Sequence, residues 1–475
     1  MTNRTNHAPR TPPRTRPGLH RKPPLTIARH LRTHDKLGHA DKCGRIIDTV
    51  NTGQGPLLLS DVRHLQNCEA LGRAGGPLST GTRHHTTPRF IAKSQYSSMR
   101  VLYLIDGLAG GGAETSLAEV APQLTAVGVE LHVGFYVDRR DVAERLLDAG
   151  AHLWPMFDAG GRRQRVAATR RLIRELRPQM VHTTLYEADI AGRTAAALCR
   201  TPVISSLVNE MYGPRQIAAG VPVAKLRAAQ AVDIATARFV DRFHAISQTV
   251  GSVMASRLHI SPSKIEVIHR ARDARLLGEY SEERRARVRR SLGIDDETRL
   301  ILGVGRVEPQ KGFSQLVEAA AELKQRGAPI RVLIAGREGN DSDRLSQAIE
   351  HHRLGDVVTL LGRREDVADL MVAADVLAFT SLWEGFGGTV IEALAVECPV
   401  VCFDLPVLRE VLGEHAEFVP LGNSQALAAT LETTLRRGRD PQALERGRLL
   451  FLERYTIEVC AERTVDMYRR VIAGH

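Results

Sequence analysis

Four charged residues in the second half of this 475-residue chain sit at spacings that suit a phosphate-bearing ligand. In SLWEGFGGTVIEALA, residues 381–395, Glu384 lies in a glycine-rich loop, and Glu392 lies about one turn inside a helix that opens at Gly388. Gly385, Gly387 and Gly388 let the backbone approach a ligand closely, and the start of a helix directs free N–H groups at an anion. Both carboxylates can then face one cleft, one at each end of an elongated ligand. That arrangement suits a nucleoside diphosphate joined to a sugar, with hydroxyls at both ends and a diphosphate between. An isolated pair of glutamates beside a glycine-rich turn would more often be solvated acids. This pair is not isolated, because GVGRVEPQKGF places Arg306 and Lys311 on another strand-end loop. Two cations at the carboxyl edge of the same sheet can neutralise a leaving diphosphate.

The elements that would position these residues alternate between short apolar runs and helix-period segments. In the first half the runs are Val101–Ile105, Leu131–Tyr136, Met180–Thr183, Pro202–Leu207, Phe243–Ile246 and Ile265–Ile268. In the second they are Leu300–Val304, Arg331–Ala335, Val357–Leu360, Val376–Phe379 and Val400–Phe403. Helical segments such as Ser314–Lys324 and Val390–Val396 separate them. Alternation of this kind predicts parallel sheets with helices on both faces. Eleven strands are too many for one open sheet, so the fold class is α/β with two Rossmann-like, doubly wound domains facing a central cleft. The expected organisation is a first domain over 99–275, a second over 276–455 and a final helix over 456–475. The charge-rich stretch Asp273–Arg290 is the expected join, and Val459–Ile472 the helix that returns to the first domain.

Composition excludes several classes. Hydrophobic residues are 43% and charged residues 25% of the chain, as in an ordinary soluble globular protein. No run approaches the ~18 apolar residues that a membrane-spanning helix needs. The net charge of +11 resides entirely in residues 1–98, with 16 basic and 5 acidic residues, whereas 99–475 hold 49 of each. That leader mixes Pro, Arg, His and Thr without period, lacks the apolar core of a signal peptide, and reads as a disordered tail or an untranslated upstream extension. Its only aromatics are Phe90 and Tyr96, so it offers no stacking platform for nucleic acid, and none is expected as a partner. The six cysteines, Cys43, Cys68, Cys199, Cys398, Cys402 and Cys460, contain no CxxC pair and read as free thiols of a reducing compartment, Cys398 and Cys402 as strand-associated core residues.

On GRVEPQKG, LLGRREDVADLMVAADVLAFTSLWEGFGGTVIEALA and PVVCFDLPVLREVLG, the chain resembles the retaining glycosyltransferases of the GT-B fold, the group 1 or family 4-like enzymes with an E-x7-E pair, here Glu384 and Glu392. The resemblance covers about residues 99–470 and is strongest from Leu300 to Gly413. It implies that Arg306 and Lys311 bind the donor diphosphate and stabilise it as leaving group. Glu384 would hold the donor sugar and Glu392 the ribose, with the Gly387–Thr389 backbone on phosphate oxygens. Retention at the anomeric carbon, no metal and no cofactor are implied with it. The nucleotide sugar is then a co-substrate, and the acceptor a glycan, lipid or small molecule. The only Asp-x-Asp, Asp341–Asp343, reads as a helix N-cap.

DGLAGGGAETSLAEVAPQL, residues 106–124, matches the family's loop near the donor phosphate and acceptor pocket, which carries over Gly111 and Gly112. Two departures fall on the acceptor side. Val208, followed by Asn209 and Glu210, stands where the family often has a His, and VIHRARD, residues 267–273, replaces the usual Pro-Asn-Gly turn while keeping Asp273. His182, Tyr186, Glu187, Asn209 and Arg270 are the acceptor candidates. The segment Gly161–Arg177 carries seven arginines, one acid and an apolar stripe of Val166, Leu172, Ile173 and Leu176; it reads as a solvated outer face or as a peripheral contact with anionic lipid, which would suit a lipid-linked acceptor. Bacterial polysaccharide or cell-surface glycan synthesis in the cytoplasm is the setting implied. Two other classes stay open: a non-catalytic partner subunit, and a nucleotide-sugar epimerase or NAD-dependent oxidoreductase on a similar fold, for which Asp138 stands where a ribose-binding acid would.

Overall fold

The computed structural model describes residues 98–475 apart from Ala219. The readings made for the leader, with Cys43 and Cys68, lie outside the described residues.

The first sheet holds β1 (Met99–Gly107), β2 (Val129–Val137), β3 (His152–Pro155), β4 (Met180–Thr184), β5 (Val203–Leu207), β6 (Arg242–Ala245) and β7 (Ile265–Val267). All pair in parallel, in the order β3-β2-β1-β4-β5-β6-β7. The second sheet holds β8 (Arg299–Val304), β9 (Ile330–Ala335), β10 (Val358–Gly362), β11 (Val376–Phe379), β12 (Val400–Phe403) and β13 (Glu417–Val419). It repeats the pattern, parallel in the order β10-β9-β8-β11-β12-β13. Helices cover both faces of a parallel sheet, so its inner strands bury both sides and read as continuous apolar runs. Val101, Leu102, Leu104 and Ile105 of β1 and Ile301 and Leu302 of β8 are accordingly fully buried.

In each sheet the strand order reverses beside the first strand, between β1 and β4 and between β8 and β11. Loops leaving the carboxyl ends of such a pair splay apart and leave a crevice, where ligands bind in open α/β sheets. RVEPQKG follows β8 and SLWEGFGG follows β11, so the two motifs flank the second reversal.

The two halves share an apolar cluster that unites Leu207, Phe243, Ile246 and Val250 with Leu302, Phe386, Leu408 and Tyr455. Glu410, from the second half, accepts from the N–H groups of Gln248 (2.6 Å) and Thr249 (3.0 Å) at the start of the helix Gln248–Leu258. A carboxylate at a helix N-terminus is favoured by the helix dipole. The stretch expected as the join forms two helices, Ala274–Leu277 and Glu282–Ser291. The second helix is already fastened to the second half, Arg284 to Asp369 and Arg285 to Asp375, each at 2.7 Å. The last helix, Ile457–Ala473, returns to pack on the first, Gly112–Ala126, and buries Val465, Met467, Tyr468 and Val471. Among the described residues no helix is long and apolar enough to cross a membrane.

Candidate functional site

The loop after β8 turns through a short helical turn, Pro309–Lys311, and then Gly312 enters the helix Phe313–Gln325 with φ +60°. A methyl group on Gly312 would fall 2.2 Å from the Thr380 carbonyl oxygen, so only glycine lets the two motif loops touch. Three hydrogen bonds then join them. Leu382 N–H donates to the Gln310 carbonyl (2.8 Å), Gln310 Nε2 to the Trp383 carbonyl (2.8 Å), and Thr380 Oγ1 to the Lys311 carbonyl (2.8 Å). The result places Lys311 Nζ in an ion pair with Glu384 Oε1, which also accepts from Ser381 Oγ at 3.1 Å. Lys311 Nζ lies 5.3 Å from the Phe379 ring centroid, an arrangement that favours the cation.

Arg306 is half in solvent, and its one ion pair among the described residues, to Glu308, is long at 3.9 Å. Glu392, in the helix Gly388–Ala395, is not free: its Oε1 accepts from Arg272 Nε at 2.5 Å. The two members of the E-x7-E pair thus each carry a cation of their own. Thr389 is the second residue of that helix and stands with Gly387 and Gly388 at its open N-terminus.

A cleft of about 330 Å³ opens beside Glu384, between the loop after β5 and the Trp383–Phe386 loop. Asn209, Glu210 and Arg215 line one wall, Gln310, Trp383 and Glu384 the other, and Arg270 the floor. The first half closes on it directly: the Val208 carbonyl packs against Gly385, and Ser247 Oγ donates to the Gly385 carbonyl at 3.0 Å. Arg270 lies against Gly112 of the glycine loop, while a neighbour, Gly111, caps the first helix without a side chain. Burial and the charge of Arg272 push the Arg270 pKa down to about 10.

Three acceptor candidates are not in this cleft. His182 is 2% exposed, with Nδ1 on Tyr468 Oη (2.6 Å) and Nε2 on Ser206 Oγ (2.8 Å), and burial holds it neutral. It joins the last helix to the first sheet, and a residue with both ring nitrogens engaged inside a core has nothing left for an acceptor. Tyr186 instead donates to the Ala229 carbonyl at 3.2 Å and stacks under Arg162. Glu187 is taken by Arg165 at 2.9 Å and Arg162 at 3.4 Å. The arginine-rich helix, Arg162–Leu176, buries Leu172 and Ile173. Its apolar stripe packs against Leu102, Leu104 and Val181 of the sheet, which removes the face that an interfacial helix would give to lipid.

Asp341 stands at the N-cap of the helix Ser342–His351 but makes no side-chain capping bond; Ser342 Oγ accepts from the Gly339 N–H there. Among the described residues no three His, Cys, Asp or Glu side chains converge as a metal site would require. Asp138 is exposed and paired with Arg140 at 2.7 Å. Cys398 and Cys402 are buried, which pushes both thiols up to about 12 and leaves them unreactive.

Arg272 and its second partner Glu119 carry no signal that the motifs alone make visible, and neither does Asp106, a buried carboxyl at the first reversal. Asp106 leaves β1 at the first reversal and accepts from the Ala188 N–H at 2.7 Å. Burial pushes its carboxyl up to about 6, against those N–H bonds. Because the folded state then holds a proton that the unfolded chain has released, Asp106 costs stability as pH rises from about 4 to about 6. Asp106→Asn removes that term, so its stability relative to wild type is expected to grow by up to about 3 kcal/mol between pH 4 and pH 7. Urea unfolding at the two pH values measures it, and a pH-independent difference would refute the assignment.

Two doubly wound parallel sheets that face each other across one cleft define a protein of the GT-B class. The glycosyl transferases group 1 model matches residues 284–447, and the glycosyltransferase family 4 model matches residues 110–276. The chain therefore belongs to the GT-B glycosyltransferase family. It is similar to a Campylobacter jejuni N-acetylgalactosamine-N,N'-diacetylbacillosaminyl-diphospho-undecaprenol 4-alpha-N-acetylgalactosaminyltransferase, 31% identical over 38% of this chain and 47% of that protein. It is also similar to the phosphatidyl-myo-inositol mannosyltransferase of Mycobacterium leprae, 34% identical over 36% of this chain and 46% of that protein. These matches span about half the length of the curated relatives. Among solved structures, Anabaena HepE in complex with UDP and glucose superposes with a TM-score of 0.67 at 22% identity, over 78% of this chain and all of that one. WaaG, a glycosyltransferase involved in lipopolysaccharide biosynthesis, gives 0.58 at 16%, over 77% of this chain and 99% of its own. At these identities the likeness is one of fold.

Proposed function

We propose that this chain is a retaining, metal-independent glycosyltransferase that moves a sugar from a nucleoside-diphosphate sugar to a glycan or lipid-linked acceptor. The observation that carries the reading is the meeting of Lys311, Glu384 and the open start of the helix Gly388–Ala395 at one reversal point. The helix start and Lys311, joined by Arg306 from solvent, would take the charge that grows on the leaving diphosphate. Glu384, fixed by Lys311 and Ser381, would accept from a hydroxyl of the donor sugar, and Glu392 from the ribose. Positioning and electrostatics would supply most of the rate. The cleft of Asn209, Arg215 and Arg270 would receive the acceptor.

A lipid-linked acceptor has support in the names of the C. jejuni and M. leprae relatives, one of which contains a diphospho-undecaprenol and the other a phosphatidyl-myo-inositol. Contact of the arginine-rich helix with an anionic bilayer would be electrostatic alone, through its exposed Arg163, Arg171 and Arg174. Calorimetric titration of the full chain with UDP-, GDP- and ADP-sugars tests the proposal. One nucleotide class is expected to bind, and Glu392→Ala to weaken it at least tenfold, the value of about one charge-assisted hydrogen bond. Silence across the panel would leave the non-catalytic partner subunit as the better reading.

A further inference from the structure

Arg272 lies in the connection after β7, where the chain passes from the first half to the second. Its backbone is fixed on both sides: its N–H donates to the Tyr455 carbonyl at 2.8 Å, and its carbonyl accepts from Ile457 N–H at 3.2 Å. Its guanidinium is fixed as well. Nε donates to Glu392 Oε1 at 2.5 Å, and Nη1 donates to Glu119 Oε2 and to the Ala271 carbonyl, each at 2.9 Å. Glu119 belongs to the first helix and Glu392 to the helix Gly388–Ala395, so one planar group is held by a carboxylate from each half.

The third nitrogen, Nη2, has no hydrogen-bond partner among the described residues. It points at the start of the helix Gly388–Ala395, where a methyl group on Gly388 would fall 2.3 Å from it. Glu119 and Glu392 offset the charge of the guanidinium beside the positive end of that helix, and Nη2 keeps its N–H donors for an incoming anion. Arg270, the neighbour two residues earlier, has no ion-pair partner among the described residues either, and its Nε is buried without one. Two arginines with unpartnered N–H groups beside an open helix start make a place for a phosphate group.

We propose that Arg272 is a third cation for the donor diphosphate, carried by the connection between the halves, with Glu119 as its positioning residue. The proposal rests on the donor-site reading above and adds to the phosphate site a cationic side chain from the connection between the halves. The guanidinium needs no rearrangement to donate from Nη2, because its other two nitrogens already have their acceptors.

The test compares binding of UDP, GDP and ADP with binding of uridine, guanosine and adenosine to the full chain by calorimetry, in wild type and variants. For whichever base binds, Arg272→Gln is expected to lower the ratio of diphosphate to nucleoside affinity tenfold or more. Arg272→Lys, which keeps the charge, recovers part of it. Glu119→Gln leaves Arg272 in place but loosens it, and lowers the ratio by a smaller factor. A ratio within twofold of wild type in Arg272→Gln overturns the proposal. So does an equal loss for diphosphate and nucleoside, which would mean that Arg272 acts only by holding Glu392. If Arg272→Gln does not fold, the ratios in Arg272→Lys and Glu119→Gln decide, and both unchanged overturns it. Wild type that binds none of the diphosphates removes the donor-site reading along with this one. Wild type that binds one, with an unchanged ratio in the variants, removes this one alone.

Discussion

Lys311→Ala is expected to lower the turnover of sugar transfer by about 10²–10³-fold, the usual loss when one preorganised donor to a developing negative charge is removed. The ammonium sits at the reversal point of the second sheet, over the Phe379 ring and against Glu384. Its side chain is only 19% exposed, so the charge acts across a medium less screening than water. Negative charge on the leaving diphosphate is greatest in the transition state, so kcat falls more than KM rises. Folding is expected to survive. Glu384 keeps its bond from Ser381, and the contact between the two motif loops runs through Gln310, Leu382 and Thr380, not through the lysine side chain. Lys311→Arg retains charge but cannot place a compact ammonium in the same slot, and is expected to fall between the two. Steady-state transfer assays read the outcome; a loss in turnover under tenfold for Lys311→Ala would remove Lys311 from the diphosphate site.

What was legible in the sequence follows from burial. Eleven strands are visible as apolar runs, and each of them pairs in one of the two sheets. The two that are not visible, β3 and β13, are edge strands, one at the end of each sheet. β3 is HLWP and β13 is EFV; with neighbours on one side only, they need no continuous apolar run and carry none. The motif loops are legible because glycine, cation and carboxylate spacing survives any detail of packing, and both motifs lie where the strand order reverses.

The acceptor side is less legible, since it is assembled from distant segments. His182 ends up inside the core because Tyr468, 286 residues later, returns to bond it. No local pattern encodes that return. Arg272 lies in the same VIHRARD segment that marks a departure from the family turn. Its role depends on Glu119 and Glu392, 153 and 120 residues away, and so becomes visible only in the fold. The arginine-rich helix shows the opposite case. Its amphipathic pattern is real, but the apolar stripe serves the sheet beneath it, as Leu172 and Ile173 show.

The same distinction between pattern and environment makes Arg193 the most sensitive position for stability. Nothing in YEADIAGRTAAALC separates this arginine from a surface one, yet it is 0% exposed. Nη1 pairs with Asp233 at 2.5 Å, Nε donates to Ser205 Oγ at 2.7 Å, and Nη2 faces Asp189 at 3.4 Å. Asp189 also accepts from Thr183 at 2.5 Å, and burial raises its carboxyl pKa. Asp233 accepts from the Tyr212 hydroxyl at 2.7 Å. Arg193→Met keeps the bulk and removes the charge, leaving two buried carboxylates with no cation; the expected destabilisation is about 3–5 kcal/mol by urea unfolding. Changing Asp189 and Asp233 to Asn in the same chain removes the unpaired charges and is expected to recover most of that loss, since a buried ion network is worth little over a neutral one. The network also reaches the cleft. Tyr212 adopts φ +62°, a strained conformation for a non-glycine residue, and its bond to Asp233 helps to hold the loop that carries Asn209, Met211 and Arg215. Acceptor KM is therefore expected to rise in Arg193→Met at temperatures where the variant is still folded, and to stay raised in Tyr212→Phe, which loses the bond without touching the charges. A single-variant cost below 1 kcal/mol, or a triple variant no more stable than Arg193→Met, would show that the three charges are not coupled in this way.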